Sequence, residues 1–488
     1  MKFIPILLYL NKSEHNLRFK DIFTQIYANR LVIMTETPDH TYYGVWFLPE
    51  EQKKVQGYVR VTNFIIELHL TDPDGRQLTN KRHDSIDMEN YPIIHGIGSY
   101  NERITLYQCS GFSGSFDVKI MLYGDQFYKP FDEQKFQILG VHVPLFDKWI
   151  SAESFKRDII NTGFSITYNA PEEIECILNE EVKIHIQFEC FLPTTENKNK
   201  INLHEFSLVH FVCLNKEGLA LAQFFKYILH FQQLVSFLSR DGANVSAVRV
   251  YTDEKGFQQN KFLGTMVYGA IPFNKFEYSS SDHLHKFLIT KNDIGTNLSS
   301  FFKKWFELAN NAQHILNLVF HDYFHRGAFT ENNFLNLIRV LEIYDAFKSP
   351  GTVMPEKDFK NKLDEIIAGV PEIYKKEVKE YLQYKNEFTL DHRLKRLVAR
   401  TMNFHISFDY KYDSQFIIKV KNSRNYYTHY NSKRKKNVAF GDELMHLTES
   451  CRVLINYLLL KDLEVPESAL VKRFEYYIES SFYSNYYL

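Results

Sequence analysis

Long hydrophobic runs, closely spaced cysteine pairs and a large net charge are all missing from this chain of 488 residues. No stretch approaches the roughly 20 consecutive apolar residues of a membrane-spanning helix, so we expect no membrane partner. The formal net charge of -1 argues against a general polyanion binder, because nonspecific nucleic-acid affinity needs many lysines and arginines. Any nucleic-acid site would therefore be a local basic patch.

The five cysteines are scattered, and no two of them form a CxxC pair. This arrangement offers neither a zinc site nor a redox couple, and it is typical of reduced, buried thiols. We therefore expect a cytoplasmic protein with no metal and no cofactor. The apolar start, MKFIPILLYL, is short and lacks a small-residue cleavage site, which favours a buried first strand over a secretory signal.

The chain is too long for one ordinary core, and its texture changes near residue 295. Residues 1–294 are rich in β-branched and aromatic residues with partial alternation, although apolar residues recur at helical spacing over 217–240. From residue 295 the pattern is helical. A 4-3-4-3-4 spacing there predicts one long buried apolar stripe, formed by Phe440, Leu444, Leu447, Cys451, Leu454 and Leu458. The sequence predicts an α+β protein with a β-rich N-terminal region over 1–294, built as one or two sub-domains, and an all-α domain over 295–488.

One histidine pair has the spacing of metal ligands. His321 and His325, in HDYFH, lie four residues apart and would share a helix face. No HExxH general base and no third ligand accompany them. Surface or helix-packing histidines are therefore the favoured interpretation, and metal-dependent hydrolysis is the alternative.

Residues 423–430, SRNYYTHY, place three chemistry-bearing side chains within six residues. On a helix, Asn425 and His429 lie about 40° apart, since successive residues advance by roughly 100°. Arg424 lies about 100° further round and carries a long side chain. One helix therefore presents a guanidinium, an amide and an imidazole to a common cleft.

Guanidinium and imidazole are the groups that metal-free RNA cleavage needs. Imidazole takes a proton from the ribose 2'-OH or gives one to the leaving 5'-oxygen, and guanidinium stabilises the charge of the phosphorane. One histidine cannot easily do both, so two copies in a symmetric dimer are a natural arrangement. Spacing alone leaves a second interpretation open, in which Arg424 is a surface charge and His429 a satisfied polar residue.

A basic run, NSKRKK, directly follows this segment. In an otherwise neutral protein it predicts a phosphate-binding patch, and a solvated charge run is the ordinary alternative. Tyrosines suit base stacking as well as packing. The candidate RNA-binding residues are Tyr426, Tyr430, Lys433, Arg434, Lys435 and Lys436.

Glu342 lies on the apolar side of its predicted helix, in NNFLNLIRVLEIYDAF. A carboxylate there is costly unless it is paired. We hypothesise that Glu342 meets Arg424 or His429 in the cleft, with a boundary position that reaches water as the alternative.

Several segments resemble one known family. The second half contains ENNFLNLIRVLEIYDAF, FKNKLDEIIAGVP, FIIKVKNSRNYYTHYNSK and GDELMHLTESCRVLINYLLLKDL in the order of the HEPN domain of ApeA-like proteins. RNYYTH fits the HEPN nuclease pattern R-[polar]-x3-H. The first half resembles the ApeA N-terminal domain in YYGVWFLPEEQKKVQGYVRV and IIHGIGSYNERITLYQC.

This resemblance implies a HEPN helical bundle with metal-independent endoribonuclease activity, in antiphage defence of the abortive type. Arg424 and His429 would be the catalytic pair and Asn425 an orienting residue. The products would carry a 2',3'-cyclic phosphate and a 5'-OH. The substrate would be tRNA or other cellular RNA.

The resemblance further implies a homo-oligomer, at least a dimer through the HEPN domains, in which the β-rich region senses a phage-derived trigger and restrains the nuclease. The alternative is a non-catalytic HEPN scaffold that binds RNA or dimerises. A scaffold has no need of Arg424, Asn425 and His429 together, which favours the nuclease.

Overall fold

The computed structural model describes residues 40–62, 65–71, 78, 88–150, 154–160, 163–191, 204–253, 257, 264–269, 287–324, 330–401, 411–430 and 435–485. The chain divides into two compact units, Met1–Leu284 and His285–Leu488. The sequence-based division before residue 295 falls slightly later in the chain. The apolar start, for which the sequence predicts a strand, lies outside the described residues.

Six antiparallel strands of the first unit form a closed ring. They are β1 (His40–Phe47), β2 (Val55–Thr62), β3 (Ile65–Leu70), β4 (Glu89–Gly98), β5 (Arg103–Phe112) and β6 (Ser115–Gly124). Around the ring, β1 pairs with β2 and β4, β3 with β2 and β6, and β5 with β4 and β6. Because every one of these six strands has two neighbours, the ring exposes no strand edge. Its interior is apolar and includes Trp46, Val59 and Leu68.

A second, open sheet begins on the last strand of the ring. Residues 115–118 of β6 pair with β3, whereas residues 120–123 pair with β16 (Thr265–Gly269). From β16 outward the strands are β15 (Ala247–Tyr251), β8 (Ile138–His142), β13 (His204–Cys213), β12 (Val182–Phe191) and β11 (Ile174–Ile177). Two further pairs join β7 (Lys135–Phe136) to β14 (Leu219–Ala220), and β9 (Phe155–Ile160) to β10 (Gly163–Tyr168).

Among the described residues of the first unit, two helices accompany this sheet, α1 (Pro144–Ile150) and α2 (Leu221–Ser239). The second confirms the helix that the sequence predicts over 217–240. It packs on β13, where the ring centroid of Phe211 lies 5.6 Å from that of Tyr227 and 6.2 Å from that of Phe231. Phe231 also meets Phe146 of α1 at 4.8 Å.

The described part of the second unit is helical, which confirms the α+β prediction. Its helices are α3 (Lys291–Ile294), α4 (Leu298–Asn311), α5 (Gln313–Phe324), α6 (Thr330–Lys348), α7 (Glu356–Ala368), α8 (Glu372–Leu382), α9 (Leu390–Ala399), α10 (Ser414–His429), α11 (Asp442–Asp462) and α12 (Glu467–Asn485), with a 3-10 turn over Gly295–Asn297. Helix α6 is central, because it contacts α5, α9, α10 and α11. Among the described residues, no helix is both long and apolar enough to cross a membrane.

Phe440 departs from its predicted place. Its spacing from later apolar residues predicts that it shares their buried stripe, but α11 begins only at Asp442 and the Phe440 side chain is 43% exposed. Gly441 has φ 54°, so the chain turns between Phe440 and the helix. The other members of the stripe are buried: Leu444, Leu447, Cys451, Leu454 and Leu458.

Close approach of two strands makes glycine necessary at position 57. A Cβ atom on Gly57 would lie 2.3 Å from the carbonyl oxygen of His69 on the paired strand. Backbone atoms cannot move aside without breaking the pairing, so we expect Gly57→Val to lower the free energy of unfolding by about 3 kcal/mol or more. Denaturant unfolding measures this loss. The neighbouring exposed change Gln56→Ala is the control, and equal stability of both variants would contradict the prediction.

Candidate active site on helix α10

Helix α10 carries the predicted catalytic residues, and its start is fixed by a side-chain cap. The Asp413 carboxylate accepts hydrogen bonds from the backbone N–H groups of Gln415 and Phe416, at 2.8 and 3.1 Å. The helix ends at His429, because Tyr430 adopts a left-handed conformation with φ 48°. Its buried residues recur at helical spacing and turn one face to the bundle: Phe416, Ile417, Val420 and Ser423.

The last two turns of α10 hold the three predicted catalytic side chains, with Arg424 at the edge of the buried face and Asn425 and His429 on the outer face. Arg424 and Asn425 are half-buried and His429 is exposed. Arg424 Nη1 donates to Asn425 Oδ1 at 3.4 Å. Because Asn425 and His429 lie on the side away from the buried face, the structure presents imidazole and amide outward at one end of the helix.

Tyr426 is the centre of an aromatic cluster beside these residues. Its ring centroid lies 5.6 Å from that of Tyr430, 5.2 Å from that of Phe440 and 5.2 Å from that of Tyr427. Tyr430 is 73% and Phe440 is 43% exposed. Two aromatic surfaces next to His429 are thus open to solvent. Sequence reasoning found Tyr426 and Tyr430 but missed Phe440, which its spacing assigned to the buried stripe.

Two further residues of α10 position the segment that follows the helix. The backbone N–H of Ala439 donates to Ser423 Oγ at 2.9 Å, and Tyr427 Oη donates to the Ala439 carbonyl oxygen at 2.9 Å. Burial, reinforced by the negative charge of Glu331, raises the pKa of Tyr427 to about 12, so its hydroxyl keeps the proton that it donates. The sequence carries no signal for this pair, because both side chains bind backbone atoms.

The basic run is described in part. Lys435 and Lys436 are exposed, and neither makes an ion pair with another described residue. Lys433 and Arg434 lie outside the described residues. The structure therefore places two unpaired cations on the segment that Ser423 and Tyr427 hold against α10.

Glu342 does not meet the predicted catalytic pair. It is half-buried on α6, and its carboxylate makes no hydrogen bond or ion pair with Arg424 or His429, all three being described residues. Its backbone carbonyl accepts a hydrogen bond from Arg393 Nη1 at 3.5 Å. The bundle instead pairs a different carboxylate of α6, that of Asp345.

Asp345 and Asp462 connect α6 with α9 and α11. The Asp345 carboxylate, 2% exposed, binds Arg393 at 3.5 Å and also Arg396, both on α9. On α11, Asp462 accepts hydrogen bonds from Tyr344 Oη at 2.5 Å and from Arg400 Nη2 at 2.7 Å. Burial and the nearby Asp462 raise the pKa of Tyr344, so the phenol remains a donor.

The described residues contain no group of three or more histidine, cysteine, aspartate or glutamate side chains placed to hold a metal ion. His321 lies in α5, and His325 lies outside the described residues.

Comparison with known families matches most of the chain. Residues 41–305 match ApeA N-terminal domain 1, and residues 335–469 match the Apea-like HEPN domain. The first match alone covers more than half of the sequence. The chain belongs to the ApeA family. No curated protein and no solved structure matches it.

The family places this chain among the HEPN proteins of antiphage defence. HEPN domains are generally ribonucleases, and they commonly bind RNA and dimerise. The matched HEPN region contains α9, α10 and α11, and therefore Arg424, Asn425 and His429.

We expect Asp345→Ala to destabilise the helical unit of this ApeA-family protein by about 2–3 kcal/mol, because it leaves two arginines without their buried counter-charge. The loss stays below that of a fully buried pair, since the side chains of Arg393 and Arg396 are 18% and 31% exposed. Asp391→Ala is the matched control. Asp391 pairs with exposed Lys395 at 2.7 Å, and its loss should cost less than about 1 kcal/mol. Equal losses in denaturant unfolding would contradict the expectation.

Ser423→Ala removes the acceptor of the Ala439 N–H, and we expect the 435–440 segment to open more easily by about 1–2 kcal/mol. Hydrogen exchange of the Ala439 amide should then become about tenfold faster. Thr428→Ala, an exposed change on the same helix, serves as the control. Unchanged exchange at Ala439 would show that Ser423 does not hold this segment.

Proposed function

We propose that this HEPN protein is a metal-independent endoribonuclease of abortive-infection antiphage defence. It acts in the cytoplasm on tRNA or other cellular RNA and stops translation. The observation that carries the proposal is the presentation of Arg424, Asn425 and His429 at the outer end of α10, within the HEPN region. Within one chain the Glu342 carboxylate makes no hydrogen bond or ion pair with Arg424 or His429.

In this reaction His429 exchanges a proton with the ribose 2'-OH or the leaving 5'-oxygen. The oxygen of the 2'-OH attacks the adjacent phosphorus, and the 5'-oxygen leaves with a proton. The products are therefore a 2',3'-cyclic phosphate and a 5'-OH. The Arg424 guanidinium stabilises the negative charge of the phosphorane, and the Asn425 amide oxygen, 3.4 Å from Arg424 Nη1, orients the guanidinium.

A second copy of the chain supplies what one site lacks. One imidazole cannot serve as base and acid in the same turnover, and a two-fold arrangement of α10 helices provides two. The exposure of His429 supports this arrangement, because nothing described in its own chain bonds to its ring. The active form is thus at least a homodimer.

The aromatic and basic residues around His429 suit single-stranded RNA. Unstacked bases bind on exposed aromatic rings, and Tyr430 and Phe440 offer two. Lys435 and Lys436 carry positive charge for the flanking phosphates. The ring of Tyr426 contacts the rings of both Tyr430 and Phe440. Lys433 and Arg434 extend the basic run in the sequence.

We assign the control of this nuclease to the β-rich unit. A toxic ribonuclease must stay silent in an uninfected cell, and the ApeA N-terminal region is the part of the chain left for that role. A phage-derived component is the proposed trigger.

We expect His429→Ala and Arg424→Ala to lower RNA cleavage by the purified protein at least about 100-fold, because each removes one catalytic group. His392→Ala, which changes an exposed histidine of α9, should leave cleavage unchanged. A chelator should have no effect. The assay follows a labelled tRNA pool, with the fragment ends identified chemically.

Two results would overturn the assignment. Cleavage that survives both substitutions but disappears with the chelator would indicate metal-dependent hydrolysis. RNA binding without cleavage, equal in the wild type and both variants, would indicate a HEPN scaffold.

A further inference from the structure

Helices α7 and α8 form a hairpin, residues 356–385, that we call the arm. The two helices contact each other, and neither has a single buried residue. Protein helices draw most of their stability from packing an apolar face, so two helices without a buried residue are incomplete. The arm therefore has an apolar surface for which the described chain provides no cover.

That surface is a stripe along α8. Ile373 is 80%, Tyr374 is 52% and Tyr381 is 70% exposed, and Tyr384, in the turn after the helix, is 66% exposed. At roughly 100° per residue these positions fall within an arc of about 100°, so they form one face. With about 200 Å² for each large side chain, the stripe exposes on the order of 500 Å².

We propose that the arm binds the arm of a second copy of this chain, with the two α8 helices antiparallel about a two-fold axis. Two such stripes together bury about 1,000 Å², which is the lower limit of buried area for a specific protein–protein interface. A two-fold contact uses the same patch on both copies, so one stripe is enough to build it.

The order of residues along α8 fits this arrangement. In an antiparallel pair that crosses at the level of Val378, Tyr374 of one copy lies within one residue of the position opposite Tyr381 of the other, and Ile373 within one residue of the position opposite Tyr384. On the edge of the stripe, Lys376 and Glu380 lie at equal distances on either side of Val378. Each lysine then faces the glutamate of the other copy, so the charges are complementary.

The overall charge of the arm favours a protein over RNA as the occupant. Residues 356–385 contain seven acidic and seven basic side chains, which gives a net charge of zero. RNA binding needs an excess of positive charge. A neutral arm also brings no net repulsion between copies.

Glu377 sets the strength of the contact. It lies within the stripe, and the two copies of this carboxylate approach each other across the axis. Like charges at an interface oppose association, so the contact is reversible and depends on protein concentration. The pairing of arms goes beyond the proposed ribonuclease, because it uses none of the residues around His429.

The test is the mass of the full-length protein over a range of concentrations, measured by sedimentation or by light scattering. We expect Ile373→Glu combined with Tyr381→Glu to halve the mass of the largest species, and Glu377→Leu to shift assembly to lower concentration. Lys379→Glu adds negative charge on the opposite side of α8 and should match the wild type.

Charge exchange tests the antiparallel geometry. Lys376→Glu should weaken assembly, and the double change Lys376→Glu with Glu380→Lys should restore it. All six substituted positions are exposed, so circular dichroism should show folded protein in each case. Equal masses for the wild type and the stripe variant at every concentration would overturn the proposal. The stripe would then be covered by another protein or by another part of the chain. Failure of the double change to restore assembly would overturn the antiparallel arrangement. Neither result depends on nuclease activity.

Discussion

Two carboxylates, buried Asp345 and partly buried Asp462, hold the helical unit in the arrangement on which its site depends. Asp345 pairs with Arg393 and Arg396 of α9, whereas Asp462 pairs with Arg400, directly after α9, and binds Tyr344 of α6. A buried charge is tolerated only when its partners are correctly placed, so the pairs fix which faces of α6, α9 and α11 meet. Helix α10 packs on α6 and α9. Its position therefore follows from these ion pairs.

Once α10 is in place, helical geometry decides where its catalytic side chains lie. The inward residues Phe416, Val420 and Ser423 leave the outer face for Asn425 and His429, and Arg424 lies at the edge between the two faces. The same helix then holds the following segment through Ser423 and Tyr427, which bind both backbone polar groups of Ala439. This anchorage places the exposed ring of Phe440 against Tyr426. One helix thus organises catalytic groups, aromatic surface and neighbouring cations together.

Local features of this fold could be read from the sequence, whereas non-local partners could not. Helix α2 and the change from strands to helices follow from apolar periodicity, and the motif at 424–429 is contiguous. Glu342 and Asp345 lie three residues apart on α6, and only the location of Arg393 and Arg396 decides which carboxylate is paired. Phe440 has the spacing of a helical stripe, but the left-handed turn at Gly441 removes it. The closure of the ring depends on β6 pairing with both β3 and β5, which no local pattern encodes.

The end chemistry of cellular RNA tests the central claim most directly. Cells that produce the wild-type chain, or the His429→Ala chain, are challenged with phage, and the termini of their RNA fragments are mapped. We expect discrete fragments with 2',3'-cyclic phosphate and 5'-OH ends in wild-type cells and no such fragments with His429→Ala. The ribonuclease function would be contradicted if the wild-type culture survived the phage with its RNA intact, and if the His429→Ala chain protected the culture equally well.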